Sequence, residues 1–146
     1  MTDHAFVPHE SVAVALGAAE IAGSLARSGA EVTRNGSRGL LWAEPMIELE
    51  RDGTRTAYGN VGPNDTNRLE EHELGPVEEV LAGQKRVIFA TCGSYAPTDV
   101  EAYRAHGGFS PTELEPQAII DEVSTAGLRG YGGAGFPAGR KWQTAA

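Results

Sequence analysis

The chain has 146 residues, of which 40% are hydrophobic and 22% charged, the composition of a soluble globular protein. Its 20 acidic and 12 basic residues give a formal net charge of −8, which argues against a general nucleic-acid-binding protein. No apolar run reaches the roughly 20 residues of a membrane span, and the N-terminus lacks a signal-peptide pattern. These features predict a cytoplasmic protein that binds neither membranes nor nucleic acid.

Residues 1–75 are predicted to form a small α/β domain. Hydrophobic periodicity and turn signals place its elements in the order strand, helix, strand, hairpin and helix. The order is that of a thioredoxin-like domain. The predicted elements are a strand at Phe6–Val7, a helix from Ser11 to Arg27, a strand over Glu31–Arg34, a hairpin of Met46–Arg51 and Thr54–Tyr58 around Asp52-Gly53, and a short helix over Asp65–Glu73.

Glycine and proline become frequent after residue 75, which predicts a connecting segment over 76–110. Its one strand is expected at Arg86–Ala90, followed by a helix over Asp99–His106. A second domain is expected to begin in 111–146. There Pro116 fits the first turn of a helix that continues over Gln117–Thr125 and ends at Gly127.

Residues 127–142 form the most informative segment, because six glycines fall within sixteen residues and a Lys-Trp pair closes the run. Glycines at this density let a backbone approach a ligand closely, and their N–H groups can converge on an anion. Lys141 adds a point charge suited to phosphate. The run lacks the Gly-Lys-Ser/Thr of a Walker A loop. It matches G-x-G-x-x-G over 130–135, but a helix rather than a strand is predicted before it. The pattern predicts a cradle for a nucleotide or flavin phosphate.

The whole run resembles the flavin-site loop of the flavoprotein subunits of respiratory complex I, NAD-reducing hydrogenases and NAD-dependent formate dehydrogenases. That family has Gly-Leu-Arg-Gly-Arg-Gly-Gly-Ala-Gly-Phe-Pro-Thr-Gly-x-Lys-Trp. In this chain Tyr131 stands in place of the second arginine and Ala138 in place of the threonine. The Tyr131 replacement removes one positive charge near the expected cofactor.

The resemblance implies that FMN and NAD are the cofactors. Gly130, Gly132 and Gly133 would lie against the flavin and its phosphate with Lys141 nearby, and Phe136 would stack on the nicotinamide nucleotide. Core packing is the alternative role for Phe136 and for Trp142. The predicted cofactor-binding residues are Arg129, Gly130, Tyr131, Gly132, Gly133, Ala134, Gly135, Phe136 and Lys141.

Three further segments resemble the beta subunit of soluble formate dehydrogenases of the molybdenum or tungsten type. They are residues 7–11, 34–45 and 103–108. With the glycine run, the resemblance extends along nearly the whole chain but matches only the N-terminal part of such a subunit. It implies a thioredoxin-like domain followed by the start of a complex I-type FMN-binding domain. The remaining flavin fold and the cysteines of a [4Fe–4S] cluster are expected beyond Ala146.

Related thioredoxin-like ferredoxin domains bind a [2Fe–2S] cluster through four cysteines. The corresponding positions are Pro8, Ala13, Ser37 and Leu41, and none of them is a usual cluster ligand. The lone Cys92 follows an apolar run and is interpreted as a small buried residue. No spacing of the histidines indicates a metal site, and no nucleophile–base pair is visible. The first domain is therefore interpreted as a cluster-free descendant, with no predicted catalytic or metal-ligating residue.

Two functions follow as hypotheses. The first is a part of an NAD-dependent formate dehydrogenase flavoprotein subunit. It would exchange hydride between FMN and NAD and pass electrons through iron–sulfur clusters to or from a cluster-bearing gamma subunit and a molybdenum- or tungsten-containing alpha subunit. The alternative is a non-catalytic module that docks such subunits through its cluster-free domain. By itself the 146-residue chain is expected to show little or no NADH-oxidising activity.

Overall fold

The computed structural model describes residues 4–146, apart from the side-chain surroundings of Thr112. The chain divides into two compact units. The first unit ends at Ala102 and the second runs from Tyr103 to Ala146.

The first unit contains five strands and most of the short helices. Between the main elements lie 3-10 turns at Leu41–Ala43 and Leu69–His72. The strands and helices are β1 (His4–Pro8), α1 (Ser11–Ala15), α2 (Ala18–Arg27), β2 (Glu31–Asn35), β3 (Ile47–Arg51), β4 (Thr54–Tyr58), β5 (Glu73–Pro76) and α3 (Val77–Val80). Helix α4 (Val100–Ala105) contains the boundary between the two units.

The five strands form one mixed sheet in the order β2-β1-β3-β4-β5. β1 and β2 run parallel around the crossover through α1 and α2, and every other neighbouring pair is antiparallel. The β3–β4 hairpin turns at Asp52-Gly53, where both residues have positive φ angles of 52° and 76°. The predicted β-α-β order, the hairpin and the mixed α/β class are confirmed. β5 is a strand that the sequence did not predict.

Both faces of the sheet are covered, so strand residues of either parity are buried. Ile47 and Leu49 lie in the larger hydrophobic cluster with helix α2, whereas Met46 belongs to a second cluster beside α3. Glu48 lies between Ile47 and Leu49 in sequence and is only 1% exposed. Its carboxylate accepts two hydrogen bonds from the guanidinium of Arg38, at 2.7 and 2.9 Å. The bidentate bonds satisfy a charge that burial would otherwise strongly penalise.

The single helix predicted from Ser11 to Arg27 is divided by Gly17 into α1 and α2. Gly17 has a φ of +100°, which non-glycine residues rarely adopt. A Cβ atom there would also lie 2.5 Å from Cγ of Pro63. The backbone turns at this point because only glycine provides both the angle and the space.

Two predictions for later residues are wrong in type. The Arg86–Ala90 run is not a strand but a series of turns, and its apolar side chains are exposed. No neighbouring strand pairs with it within the described residues, so nothing satisfies an extended backbone there. Of the helix predicted at Asp65–Glu73, only the 3-10 turn Leu69–His72 forms.

The second unit is mainly helical. A 3-10 turn at Ser110–Glu113 precedes α5 (Pro116–Thr125), and α6 (Ala138–Ala145) begins within the glycine run. Pro116 begins α5 as the sequence predicted, because a helix needs no N–H donor at its first position. No helix within residues 4–146 has the length and apolar character to cross a membrane.

Candidate functional site

The glycine run is framed by two helices that pack closely against each other. Helix α5 precedes the run, and helix α6 contains its C-terminal residues. The two helices touch at Gly139, where a Cβ atom would lie 2.1 Å from Oγ of Ser124 and 2.9 Å from its backbone N and Cα. Near the other end of the pair, the side-chain amides of Gln117 and Gln143 are hydrogen-bonded at 2.9 Å. Two packed helices therefore hold both ends of the run.

Backbone hydrogen bonds close the run into a loop. Gly130 N–H donates to the carbonyl of Phe136 at 2.9 Å, and Ala138 N–H donates to the carbonyl of Leu128 at 2.8 Å. Arg129 and Pro137 face each other as an isolated antiparallel bridge between these two bonds. Residues 131–135 form the tip. A loop closed in this way differs from a flexible linker, in which no such bonds fix the ends.

The backbone donors at the tip are free to bind a ligand. The N–H groups of Gly132, Gly133, Ala134 and Gly135 have no acceptor among residues 4–146. Several unpaired N–H groups on one short turn are available to bind an anion.

Three glycines lie at the loop tip, and only two of them have a backbone angle that favours glycine. Gly133 and Gly135 have φ angles of +103° and +58°, so their backbone conformation favours glycine. Gly132 has no such angle, and a Cβ atom there would meet nothing within 4 Å. Neither strain nor protein packing explains glycine at position 132. Glycine without either requirement is typical of a position that a ligand approaches closely.

Phe136 and Lys141, two of the predicted site residues, line the same shallow cavity of about 240 Å³. Thr144 and Ala145 complete the lining. Thr144 lies three residues beyond Lys141 on α6, and that helical spacing is the signal by which the sequence could have identified it. The cavity brings together an aromatic face, an exposed lysine and a hydroxyl group, a combination suited to a phosphorylated aromatic ligand.

The structure separates the remaining predicted residues from this cavity. Arg129 donates to the carbonyl of Gly135 at 3.1 Å and so braces the loop. Tyr131 is 96% exposed at the tip. Neither aromatic residue flanking the loop end is packed in a core formed by residues 4–146, since Phe136 is 49% exposed and Trp142 is 46% exposed.

The charge around the loop favours an anion. Residues 123–146 contain Arg129, Arg140 and Lys141 and no acidic residue, although the chain as a whole has a net charge of −8. The Arg140 guanidinium also lies 6.0 Å from the centre of the Phe136 ring. The segment itself is therefore basic, although Asp121 and Glu122 stand directly before it on α5.

The four positions that correspond to cluster ligands lie around the ends of β1 and β2 in the first unit. Pro8 and Ala13 are buried, and Leu41 is exposed. Ser37 donates its N–H to Glu10 and its hydroxyl to Glu44. None of these side chains offers a thiolate to a cluster. No grouping of three or more His, Cys, Asp or Glu side chains in the described part of the chain is arranged to hold a metal ion.

Comparison with known proteins identifies local similarity to redox proteins. No protein-family model matches the chain. It is 38% identical over 63 residues to the HndC component of the NADP-reducing hydrogenase of Solidesulfovibrio fructosivorans, covering 40% of this chain and 13% of the relative. It is 44% identical over 50 residues to a component of the NADH-quinone oxidoreductase of Aquifex aeolicus, and 41% identical over 51 residues to the same component in Escherichia coli. Each of these two matches covers 32% of this chain and 12% of the relative.

These similarities support the resemblance to the complex I flavoprotein and NAD-reducing hydrogenase family. The matching segment spans 13% or less of the length of the three relatives. None of their names refers to formate. The comparisons therefore support a relationship to these redox proteins without selecting a formate dehydrogenase.

Proposed function

We propose that this chain is part of the flavoprotein subunit of an NAD-dependent formate dehydrogenase. In that protein hydride is exchanged between NAD and FMN, and electrons pass on through iron–sulfur clusters. The observation that carries the proposal is the closed glycine loop with unpaired N–H groups at 132–135. Its likeness to the flavin-site loop and the partial similarity to NADH-quinone oxidoreductase and hydrogenase components support it.

The residues of the loop fit the phosphate of FMN. The N–H groups of Gly132, Gly133, Ala134 and Gly135 would donate to the phosphate oxygens, and Lys141 would supply the opposing charge. Gly132 leaves the space that a close approach of the ligand needs. Phe136 offers an aromatic face beside Lys141 for a planar ring.

The chemistry of the reaction belongs to the cofactor, and this chain binds and orients it. FMN, when bound, supplies a carrier that accepts hydride from a nicotinamide and releases electrons singly to clusters. Arg129 stiffens the loop through its bond to Gly135, so the donors keep their positions. Fixed donors that need no rearrangement bind an anion at lower entropic cost than a mobile loop does.

The first unit is proposed to be a cluster-free thioredoxin-like domain. Its β-α-β segment followed by an antiparallel hairpin supports this interpretation. The [4Fe–4S] cluster is proposed to be held by residues beyond Ala146. A gamma subunit with clusters and an alpha subunit with molybdenum or tungsten are the proposed partners, and the proposed location is the cytoplasm.

Flavin titrations test the phosphate assignment. We expect the chain to quench FMN fluorescence and to bind FMN at least about tenfold more tightly than riboflavin, which lacks the phosphate. Lys141→Gln should reduce the FMN affinity by about tenfold, or about 1.4 kcal/mol, and leave riboflavin binding unchanged. Lys85→Gln is the matched control, because it removes one lysine charge outside the loop.

Two results would count against the proposal. One is equal affinity for FMN and riboflavin. The other is the same loss of FMN affinity in Lys141→Gln and Lys85→Gln, which would make the lysine effect nonspecific. Binding of partner subunits by a chain that does not bind flavin would favour the docking module.

A further inference from the structure

Two segments of the first unit expose large apolar side chains. One is Leu41-Trp42, at the 3-10 turn after β2, and the other is Val87-Ile88-Phe89. Their exposed fractions range from 62% for Trp42 to 88% for Ile88. Isolated exposed apolar residues are ordinary, but a contiguous group of this kind marks an interaction site. These five residues form the apolar patch.

Arg86 joins the two segments of the apolar patch. Its Nη2 atom donates to the carbonyl of Arg38 at 2.9 Å and to the carbonyl of Phe89 at 3.2 Å. One guanidinium nitrogen therefore binds the carbonyl of Arg38, three residues before Leu41, and the carbonyl of Phe89. This tether holds the Val87–Phe89 segment close to the backbone that leads into Leu41.

A buried ion-pair network fixes the chain that follows the apolar patch. Arg38, whose two other nitrogens bind Glu48, donates through Nη1 to the carbonyl of Cys92 at 2.8 Å. Asn35 donates to the carbonyl of Gly93 at 2.8 Å.

Arg55 extends this network to the next residue. Its guanidinium lies 3.4 Å from Glu48, and Nη2 donates to the carbonyl of Ser94 at 2.9 Å. Three consecutive carbonyls, at positions 92–94, are therefore held by side chains of the sheet and of the residues that follow β2. A segment tied down in this way presents its exposed side chains with little ordering entropy left to lose on binding.

Two basic residues, Lys85 and Arg86, stand directly before Val87 at the edge of the apolar patch. Arg34 and Arg38 do not add to this charge, because Arg34 donates to the carbonyls of Val7 and Pro8 and Arg38 is buried. Glu48 balances Arg38. Lys85 and Arg86 form no ion pair with a carboxylate in the part of the chain that the structure describes.

We propose that the apolar patch docks a second protein subunit through an apolar hollow rimmed by aspartate and glutamate. With large side chains of about 150–250 Å² each, the exposed fractions correspond to roughly 600 Å² of apolar surface. With Lys85 and Arg86, this approaches the roughly 800 Å² that each partner contributes to a standard interface. Trp, Phe and Arg are also among the residues enriched at interfaces, and Trp and Arg among those that dominate binding energy there.

Other occupants fit less well. A symmetric dimer through the apolar patch would bring Lys85 and Arg86 of both copies into one interface without a partner carboxylate, which is repulsive. An anionic membrane would gain only about 1 kcal/mol for each basic residue near its surface. Two cations therefore give a weak attraction, and the acidic remainder of the chain opposes it.

Binding of purified subunits to the immobilised full chain tests the proposal. The probes are the separate alpha and gamma subunits of an NAD-dependent formate dehydrogenase, a choice that rests on the proposed function. We expect one of them to bind and Ile88→Asp to weaken that binding by about 30-fold. Lys85→Glu should weaken it by about tenfold at low salt, with little effect at about 0.5 M salt. Val12→Asp is the matched control, since Val12 is 48% exposed on α1, outside the apolar patch, and should change binding less than about twofold.

The same variants are titrated with FMN, so that a failure of docking is distinguished from a failure of the flavin assignment. Docking is overturned if neither subunit binds, or if Ile88→Asp and Val12→Asp weaken binding equally. Two further results would overturn it by identifying a different occupant. One is a dimer in analytical ultracentrifugation that Ile88→Asp abolishes, and the other is binding to phosphatidylserine vesicles that Ile88→Asp abolishes.

Discussion

Replacing Glu48 with leucine leaves the buried Arg38 guanidinium without its carboxylate. The side chains of Arg38 and Glu48 are 8% and 1% exposed, so water cannot take the place of the lost partner. Arg55 also loses a carboxylate at 3.4 Å, although it retains Glu50 at 2.8 Å. Removing one member of a buried ion pair costs about 3–5 kcal/mol, because the other charge remains desolvated.

The double variant Arg38→Met/Glu48→Leu removes both charged side chains of the pair, so that no unpaired charge stays buried. Apolar replacement of a whole buried pair is often neutral or stabilising. Arg38 additionally donates to the Cys92 carbonyl at 2.8 Å, and leaving that oxygen unpaired costs about 1–3 kcal/mol. We therefore expect the double variant to be more stable than the single Glu48→Leu variant, even though it carries one more substitution.

Urea unfolding followed by far-UV circular dichroism measures both effects. With a slope of about 2 kcal/mol per molar urea, Glu48→Leu should lower the midpoint by roughly 2 M. Glu71→Gln removes a carboxylate 3.8 Å from Arg68 at the surface and should cost less than about 1 kcal/mol. A Glu48→Leu loss below about 1 kcal/mol, or a double variant less stable than the single one, would refute this reasoning.

Two further predictions concern the second unit and the pH dependence of stability. Gly139→Ala places a Cβ atom 2.1 Å from Ser124 Oγ and should force α5 and α6 apart. Thermal unfolding should show a loss of stability of about 1–3 kcal/mol. Gly23→Ala, in the middle of α2, is the control and should not destabilise the protein. The hydrogen bond from Arg68 holds the pKa of Asp65 below its ordinary 3.8. The folded state therefore binds a proton at Asp65 more weakly than the unfolded state does. The resulting stabilisation is complete above the ordinary pKa and is lost as the pH falls through the lowered pKa of the folded state. Urea midpoints should accordingly fall more steeply below about pH 4 in the wild type than in Asp65→Asn, and parallel pH profiles would contradict this.

Local patterns were sufficient to predict most of the sheet. The alternation in Met46–Arg51 and the Asp52-Gly53 turn determine the β3–β4 hairpin, because strand periodicity and turn geometry are properties of neighbouring residues. The Arg86–Ala90 run was predicted wrongly for the opposite reason. Three adjacent apolar residues suit a buried strand, but whether a neighbouring strand pairs with them depends on distant parts of the chain.

The candidate site was predictable in outline and not in its contacts. Glycine spacing identified the loop, since close backbone approach is encoded in the residues themselves. The shared cavity of Phe136 and Lys141 follows from helix α6, which begins at Ala138 and was not predicted from the sequence. The burial of Glu48 was missed likewise, because its partner Arg38 lies outside the strand that shows the alternation.

The central claim is that the loop N–H groups at 132–135 hold the phosphate of FMN. Nitrogen–proton correlation spectra of the ¹⁵N-labelled chain, recorded during an FMN titration, test it residue by residue. We predict that the amide signals of Gly132, Gly133, Ala134 and Gly135 shift with FMN and not with riboflavin, and that Gly132→Ala weakens the response. Shifts confined to other residues, or equal shifts with riboflavin, would contradict it.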